Sequence, residues 1–210
     1  NGMQKGLVRI GTFNSACVEW MPSLLKGFEQ EYPEVRLDIY QGTYHDVYQW
    51  LKDGVVDLGF LSASSLGDLA GTPVYEDRIV CVTPRDFQPK NPGYVTVEEL
   101  KGQRFVIQRE GCDADVNHFM EKYHLSGQGG SCIVDDMSAI ALVMGGYGVC
   151  LVPELVIRNI PFPVDVYPLD VEEKRTIMLA TVHPEVSAPA VRRMYDYIID
   201  RFQNETEEME

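Results

Sequence analysis

Apolar residues along the first sixty positions alternate between strand spacing and helical spacing. A short apolar run at residues 7–10 is followed by a polar segment and then by helical spacing at Val18, Met21, Leu24, Leu25 and Phe28. Period-two alternation returns at 35–39, a helical face follows at 44–51, and a buried strand follows at 56–61. This order predicts a βαβαβ unit with a mainly parallel sheet. Pro22 predicts either a kinked first helix or a helix whose regular part starts late.

The second half of the chain repeats this alternation. Strands are predicted at residues 78–82, 105–107, 132–134, 149–152 and 176–182. Thr96 and Glu99 predict a capping box, Asp113 is placed to cap a helix, and further helices are predicted at 138–144 and from Ser187 onwards. The pattern therefore predicts a second α/β lobe.

Composition narrows the class of protein. With 45% hydrophobic and 24% charged residues, the 210-residue chain is typical of a folded globule, and its apolar runs fall well short of the roughly 18 residues of a membrane span. We expect no secretory signal, and the five cysteines, which lack disulfide or zinc spacing, are expected to be reduced in a cytoplasm. The net charge of -14 argues against direct nucleic-acid binding. Residues 205–210 are predicted to form a disordered acidic tail.

The sequence contains none of the common motifs of catalytic or metal-binding sites. The histidines have no metal-ligand spacing, the glycine run at 145–148 is a helix stop and not a phosphate loop, and there is no GxSxG sequence. We therefore expect no enzyme activity, no cofactor and no metal.

An ordered set of segments resembles the regulatory domain of LysR-type transcriptional regulators. The resemblance runs from Gly6 to Phe202, and these segments carry it: 7–11, Met21-Pro22, 24–25, Phe28, 32–35, Gln41-Gly42, 51–54, 56–60, 97–100 and 142–153. It implies an α/β fold of two Rossmann-like lobes with a ligand cleft between them, as in type 2 periplasmic-binding proteins. Lobe one would comprise residues 6–79 and 183–204, and lobe two residues 80–182.

The resemblance also implies a role. The chain would sense a small metabolite and signal to a winged helix-turn-helix head that this sequence lacks, so DNA would be contacted only through that head. A homodimer is expected, with a tetramer for the full-length protein, and the first helix and the helix at 113–123 would supply the contacts. No membrane contact is expected. A solute-binding protein of a transporter is the alternative.

Candidate effector contacts lie at helix starts, where backbone N–H groups and the helix dipole favour anions. In lobe one they are Asn14, Ser15, Thr43 and Ser62, for which ordinary capping or a solvated loop is the alternative. In lobe two they are Gln108, Arg109 and Ser138. Arg109 can bind a carboxylate through two hydrogen bonds, which favours an organic anion, whereas Asp135 and Asp136 would repel an anion and suit an amine or cap the helix.

Cysteine chemistry offers one more hypothesis. Cys17 falls in the first turn of a helix, where a thiol can be reactive, but a packed thiol is the alternative. Peroxide sensors of the resembled family use a cysteine pair in the second lobe, and Cys112 with Cys132 is spaced poorly for that role. Cys81 and Cys150 are predicted to lie in the core.

Overall fold

The computed structural model describes residues 6–110, 112–125, 133–158 and 160–209, which form two compact units. The first unit comprises Asn1–Glu76 with Thr176–Glu210, and the second comprises Asp77–Arg175. The chain passes between them inside strand β4 (Ala70–Thr83) and again inside strand β7 (Lys174–Thr181). The sequence analysis drew the second division after residue 182, but most of β7 lies in the first unit because it pairs with a strand of that unit's sheet.

Strands and helices alternate in the first unit. Its elements are β1 (Gly6–Thr12), α1 (Asn14–Glu31), β2 (Val35–Gln41), α2 (Tyr44–Lys52), β3 (Leu58–Ser62) and the last helix, α6 (Pro189–Met209). The predicted βαβαβ order of the first sixty residues is confirmed. The sheet order is β2-β1-β3-β7-β4, in which β1 is parallel to β2 and β3, whereas β3 and β7 are antiparallel.

Helix α1 contains Pro22 and nevertheless begins at Asn14, so the expectation of a late start is wrong. A proline inside a helix costs about 3 kcal/mol because it removes a hydrogen bond and crowds the preceding turn. The side chains of Met21, Leu24 and Phe28 are fully buried beside it. Burial of each such side chain contributes about 1.5–3 kcal/mol, which is enough to offset the proline.

The second unit has two apolar clusters on the two faces of its strands. Its elements are α3 (Val97–Leu100), α4 (Ala114–Lys122), α5 (Asp136–Met144), β5 (Cys150–Pro153) and β6 (Asp165–Tyr167), together with the second part of β4. Successive residues of β4 belong to opposite clusters, since Ile79 and Cys81 pack with Phe119 whereas Val80 and Val82 pack with Ile140. The capping box of Thr96 and Glu99 is confirmed.

Two predicted strands of this unit are reduced to single bridges. Phe105 pairs with Val149, and Gln108 pairs with Ile133, both in the parallel sense. Cys132, which the sequence placed in the second of these strands, lies outside the described residues.

The acidic C-terminal end is helical, so the prediction of a disordered tail is wrong. Helix α6 continues to Met209. Arg201 forms an ion pair with Glu205 one turn later, and the hydroxyl of Thr206 donates to the carbonyl of Phe202. These i,i+4 contacts extend the helix into a segment that has no apolar stripe. Within the described residues, no helix is long and apolar enough to cross a membrane.

Candidate functional site

The carboxyl ends of three parallel strands form one edge of the first unit's sheet. Residue Thr12 at the end of β1 is in register with Gln41 at the end of β2, and β3 runs in the same direction beside β1. Helices α1 and α2 begin at this edge because each follows one of these strands. The fold therefore brings the predicted contacts of lobe one to the same edge: Asn14, Ser15, Thr43 and Ser62. Because the predicted effector contacts lie there, we call this the ligand edge of the first unit.

Helix α1 begins without a side-chain cap. Its N-cap is Phe13, so Asn14 and Ser15, which were predicted to open the helix, are its first two helical residues. The first intrahelical hydrogen bond runs from the amide of Cys17 to the carbonyl of Phe13 at 2.9 Å. The first turn contains no acidic residue. The positive end of the α1 dipole is therefore not neutralised by a carboxylate of its own first turn.

Packing explains why a phenylalanine stands at a position that usually holds serine or aspartate. The ring of Phe13 is buried and meets the ring of Tyr44 edge to face, with 4.7 Å between centroids. The amide of Gly42 also donates to the carbonyl of Thr12 at 3.0 Å. The starts of α1 and α2 are therefore direct neighbours at the ligand edge.

Helix α2 has a closed capping box. The hydroxyl of Thr43 accepts from the amide of Asp46 at 3.1 Å, and the amide of Thr43 donates to Oδ2 of Asp46 at 2.9 Å. The Thr43 hydroxyl keeps its own proton for donation to another group. The Asp46 carboxylate, in contrast, already places a negative charge at this helix start.

Ser62 lies at the ligand edge but is fully buried. Its hydroxyl oxygen accepts a hydrogen bond from the amide of Ser64 at 3.4 Å and is 3.0 Å from the Ser64 hydroxyl. Ser62 thereby caps a one-turn helix at Ala63–Ser65. Local capping is therefore the observed role of Ser62.

The predicted contacts of lobe two also share one edge, that of the second unit. The bridge between Gln108 and Ile133 sets the segment around residue 108 beside the one that leads into α5. The side-chain amide of Gln108 donates to Asp136 at 2.6 Å, and both the amide and the hydroxyl of Ser138 donate to Asp135 at 2.7 Å. The side chain of Arg109 is exposed, and among the described residues its guanidinium group has no ion-pair partner.

Helix α4 also starts on a carboxylate. Asp113 caps it as predicted, accepting from the amide of Val116 at 3.1 Å. Burial raises the pKa of Asp113 to about 7, and the charges of Asp115 and Asp136 add to this effect, whereas the Arg175 charge and the hydrogen bond from the Val116 amide oppose it. A buried side-chain oxygen of Asp115 lacks a hydrogen-bond partner within the described part of the chain. This region of the second unit is strongly acidic.

A buried ion pair of the second unit escaped the sequence analysis. Arg175 is 1% exposed and donates to both carboxylate oxygens of Asp77, at 2.8 and 2.7 Å, while the amide of Leu155 donates to the same carboxylate. A signal was present, because Arg175 is a charged residue directly before a predicted apolar strand, residues 176–182. Its partner 98 positions away carried no signal of its own.

Burial raises the thiol pKa of three of the cysteines, Cys17, Cys81 and Cys150. Burial raises the pKa of the Cys17 thiol, which contradicts a reactive thiol at the start of α1. The predicted core positions of Cys81 and Cys150 are confirmed, and burial raises the pKa of Cys81 to about 12. Cys112 is half-buried, and Cys132 lies outside the described residues. In the described part of the chain, no group of side chains has the arrangement of a metal site.

The family model of the LysR substrate binding domain matches residues 1–203. The chain belongs to this family. The predicted fold, of the type 2 periplasmic-binding-protein class, is thereby confirmed.

Relatives of this LysR domain include named regulators of transcription. The chain is 28% identical over 160 residues to the malonate utilization transcriptional regulator of Klebsiella pneumoniae, covering 72% of this chain and 51% of that protein. It is 26% identical over 208 residues to the transcriptional dual regulator GltC of Bacillus subtilis, covering 94% of this chain and 68% of that protein. The chain thus spans about half to two thirds of the length of these relatives.

Solved structures show the same fold. The effector binding domain of QuiR, in complex with shikimate, superposes with a TM-score of 0.83 at 16% identity, over 96% of this chain and 99% of that one. The regulatory domain of CcmR from Synechocystis PCC6803, in complex with 2-PG, superposes with a TM-score of 0.85 at 16% identity, over 95% of this chain and 98% of that one.

Proposed function

We propose that this LysR domain senses a small organic anion at the ligand edge of its first unit and signals to a DNA-binding domain in the full-length regulator. The family match and the regulators among its relatives support the signalling role. The shikimate complex of QuiR and the 2-PG complex of CcmR support a small-molecule effector. Signalling would follow from unequal affinity for two conformations of the regulator.

The start of α1 is the observation that carries the choice of an anion. Its first turn has neither a side-chain cap nor an acidic residue, and the Thr43 hydroxyl beside it can donate. The three segments of the ligand edge, residues 12–15, 41–46 and 61–65, contain no lysine or arginine. An anion there would be held by backbone N–H groups, hydroxyls and the helix dipole and not by a cation.

Within the second unit, Arg109 is the residue that we propose as an anion contact. Its exposed guanidinium group is suited to a carboxylate. Gln108 and Ser138 are weaker candidates as donors to an anion because each already donates to an aspartate. We propose that they orient the aspartates beside them.

Ligand binding without catalysis is the proposed activity, in the cytoplasm, with no cofactor. The alternative of a solute-binding protein is disfavoured because the relatives named above regulate transcription.

Thermal unfolding against carboxylates, amines and sugars tests the proposal, since a ligand bound only by the folded state raises the unfolding midpoint. We expect a saturable shift with carboxylates. Ser15→Ala and Arg109→Ala should each weaken binding about tenfold, as expected for a lost hydrogen bond to a charged group. Ser23→Ala, on the same helix, and Arg85→Ala, also exposed, are the matched controls. A shift with amines or sugars alone, or unchanged affinity in both variants, would contradict this site.

Self-association is the second part of the proposal, and helix α5 is the surface that favours it. Met137, Ala141 and Met144 follow one another at helical spacing, and Met137 and Met144 are 38% and 42% exposed. Val134, Leu142 and Tyr147 extend the exposed apolar area. The sequence analysis expected helices α1 and α4; the exposed side chains of α4 include His118, Glu121 and Lys122. Exposed apolar patches mark interaction surfaces, so we propose that a second copy of the chain covers α5.

Light scattering coupled to gel filtration measures the mass of this assembly. We expect a dimer for the unmodified chain and a monomer for the double variant Met137→Glu with Met144→Glu. The control is His118→Glu on α4, which should remain a dimer. A dimer in the α5 variant would place the contact elsewhere.

A further inference from the structure

We propose that the second unit carries a binding site for an organic amine, in a groove between helix α4 and the segment at residues 107–110. The groove has a volume of about 630 Å³, which is within the range of small-molecule sites. Its lining favours a ligand with an apolar body and one ammonium group. All of the lining residues belong to the second unit, so this site does not depend on the anion site proposed for the first unit.

One stripe of helix α4 forms a wall of the groove. Ala114, Asn117, His118 and Glu121 follow one another at helical spacing, and all four line the groove. The opposite wall comes from the segment at 107–110, which a parallel bridge holds in place. A helix and a paired segment therefore shape the groove.

The floor of the groove is apolar because of the way in which α4 ends. His124 has a φ angle of 54°, and the amide of Leu125 donates to the carbonyl of Met120 at 2.8 Å, as in a Schellman motif. This turn folds Leu125 back towards Met120, and both side chains are buried in one apolar cluster, against which Ile107 also packs. The apolar body of a ligand would lie on these three side chains.

The rim of the groove is negatively charged. Glu110 and Glu121 are exposed, and within the described residues neither carboxylate has an ion-pair partner. No lysine or arginine is among the described residues that line the groove. Lys122, next to Glu121 in the sequence, forms an ion pair with Glu173 instead. Two uncompensated carboxylates beside an apolar floor are complementary to an amine with an apolar body.

Neutral polar groups of the lining also suit an ammonium group. The side-chain amide of Asn117 is half-buried and has no hydrogen-bond partner in the described part of the chain. The side chain of Gln108 donates to Asp136, which leaves its amide oxygen able to accept. An ammonium group has three donors and no acceptor, so carboxylates and amide oxygens match it. A ligand carboxylate would be repelled by the two glutamates.

The experiment compares 2-phenylethylamine with 2-phenylethanol and 3-phenylpropanoate, which have a similar shape and differ in charge. Binding is followed by NMR through the ring protons of His118, which lies in the groove, with His45 of the first unit as the reference and His118→Gln to assign the signal. Affinities are taken from the His118 signal, so a carboxylate bound at the first unit does not affect the comparison. A pH of about 8 keeps histidine neutral and the amine charged.

The variants are Glu110→Gln and Glu121→Gln, singly and together, which remove charge with little change of shape. Asp86→Asn is the matched control, because Asp86 is an exposed acid of the second unit that does not line the groove. We expect each glutamine variant to bind the amine about threefold more weakly and the double variant about tenfold more weakly, as for partly screened ion pairs. The control should bind it as the unmodified chain does.

Two further readouts need no variant. The unmodified chain should bind the amine about tenfold more tightly than the alcohol, and salt at about 0.5 M should reduce this preference. From butylamine to hexylamine, each added methylene should tighten binding about two- to fourfold, because it covers more of the apolar floor.

Four results would each overturn the proposal. They are equal affinity for the amine and the alcohol, unchanged affinity of the double variant for the amine, binding of the amine without a change in the His118 signal, and no binding of any amine. None of them affects the shift with carboxylates expected from the first unit, so the two proposals fail separately.

Discussion

Helix α1 of the first unit starts in the opposite way to helices α4 and α5 of the second. In the first unit, α1 begins on the buried ring of Phe13 with no acid in its first turn. In the second unit, α4 and α5 begin on Asp113 and Asp135, and each has a further aspartate in its first turn. The same strand-to-helix architecture therefore supplies the starts of α4 and α5 with carboxylates of the chain itself, whereas the first turn of α1 has none.

The burial of ion pairs also differs between the two units. The ion pair of Arg9 and Asp57 in the first unit is 34% and 21% exposed, whereas that of Arg175 and Asp77 in the second is 1% and 3% exposed. The second unit thus uses acidic groups inside its structure, and the first leaves its edge free of them apart from Asp46. The difference teaches that helix starts of one topology acquire their chemistry from the capping residues and not from the fold.

The largest expected effect comes from breaking the buried ion pair. Asp77→Ala leaves the Arg175 charge buried without its partner and should lower the free energy of unfolding by about 3–5 kcal/mol. Asp57→Ala, the counterpart in the first unit, should cost only about 1 kcal/mol because that pair is partly solvated. Urea denaturation measures both. Similar losses would show that the two pairs do not differ as their burial indicates.

The next effect is a pH dependence specific to the second unit. Asp113 has its pKa raised from 3.8 to about 7 in the folded chain, so between about pH 4 and 7 the folded state holds a proton that the unfolded state has lost. Stability from this group is therefore complete below about pH 4 and falls as the pH rises to about 7, by about 2–4 kcal/mol in all. Asp113→Asn keeps a capping side chain and should remove this part of the slope. An identical pH profile for variant and parent, measured by urea denaturation, would refute it.

Loss of a helix cap should have a smaller effect, and only where a side-chain cap exists. Asp135→Ala removes the acceptor of the Ser138 amide and hydroxyl and should cost about 1 kcal/mol. Thr43→Ala in the capping box of α2 should cost a similar amount. Thermal unfolding detects both, and Asp135→Asn, which retains a cap, is the control. A loss below the error of the measurement in both variants would show that neither cap stabilises its helix.

The smallest expected change in stability comes from a substitution that gives α1 an acidic first turn, like those of α4 and α5 in the second unit. Asn14→Asp places a carboxylate in the first turn of α1, where the helix dipole should stabilise it by about 0.3–1 kcal/mol. The same charge should abolish binding of a carboxylate ligand at that edge. Calorimetric unfolding and ligand titration of one sample measure the two effects, with Asn14→Ser as the uncharged control. Retained binding in the aspartate variant would place the anion elsewhere.

Local signals in the sequence predicted those elements that have strong periodicity or side-chain caps. The order of β1, α1, β2, α2 and β3 followed from apolar spacing, and Asp113 and the Thr96 box followed from capping residues. Strand β4 begins at Ala70, eight residues before its predicted start. The prediction missed these residues because Ala70-Gly71-Thr72-Pro73 has the composition of a loop. Its pairing with other strands overrides that local preference. The three-residue strand β6 is too short for any period to show.

Local pattern also predicted some properties of the candidate site residues, whereas others depend on contacts with distant residues. The sequence placed Asn14, Ser15 and Thr43 near helix starts, because an N-terminus follows from local pattern. It could not show that Phe13 is the true N-cap of α1, since that depends on its ring packing against Tyr44, which is 31 positions away. It also could not show that the side chains of Gln108 and Ser138 donate hydrogen bonds to aspartates.

The sequence by itself therefore determined the class of fold, the family and the location of helix starts, because these depend on spacing along the chain and on residues a few positions apart. Only the tertiary structure decided which polar groups have a partner, which carboxylates are buried, and that Arg175 meets Asp77 across 98 positions. The physical reason is that burial and hydrogen-bond pairing are properties of groups brought together from distant segments, and these properties set the charge and donor capacity of each edge.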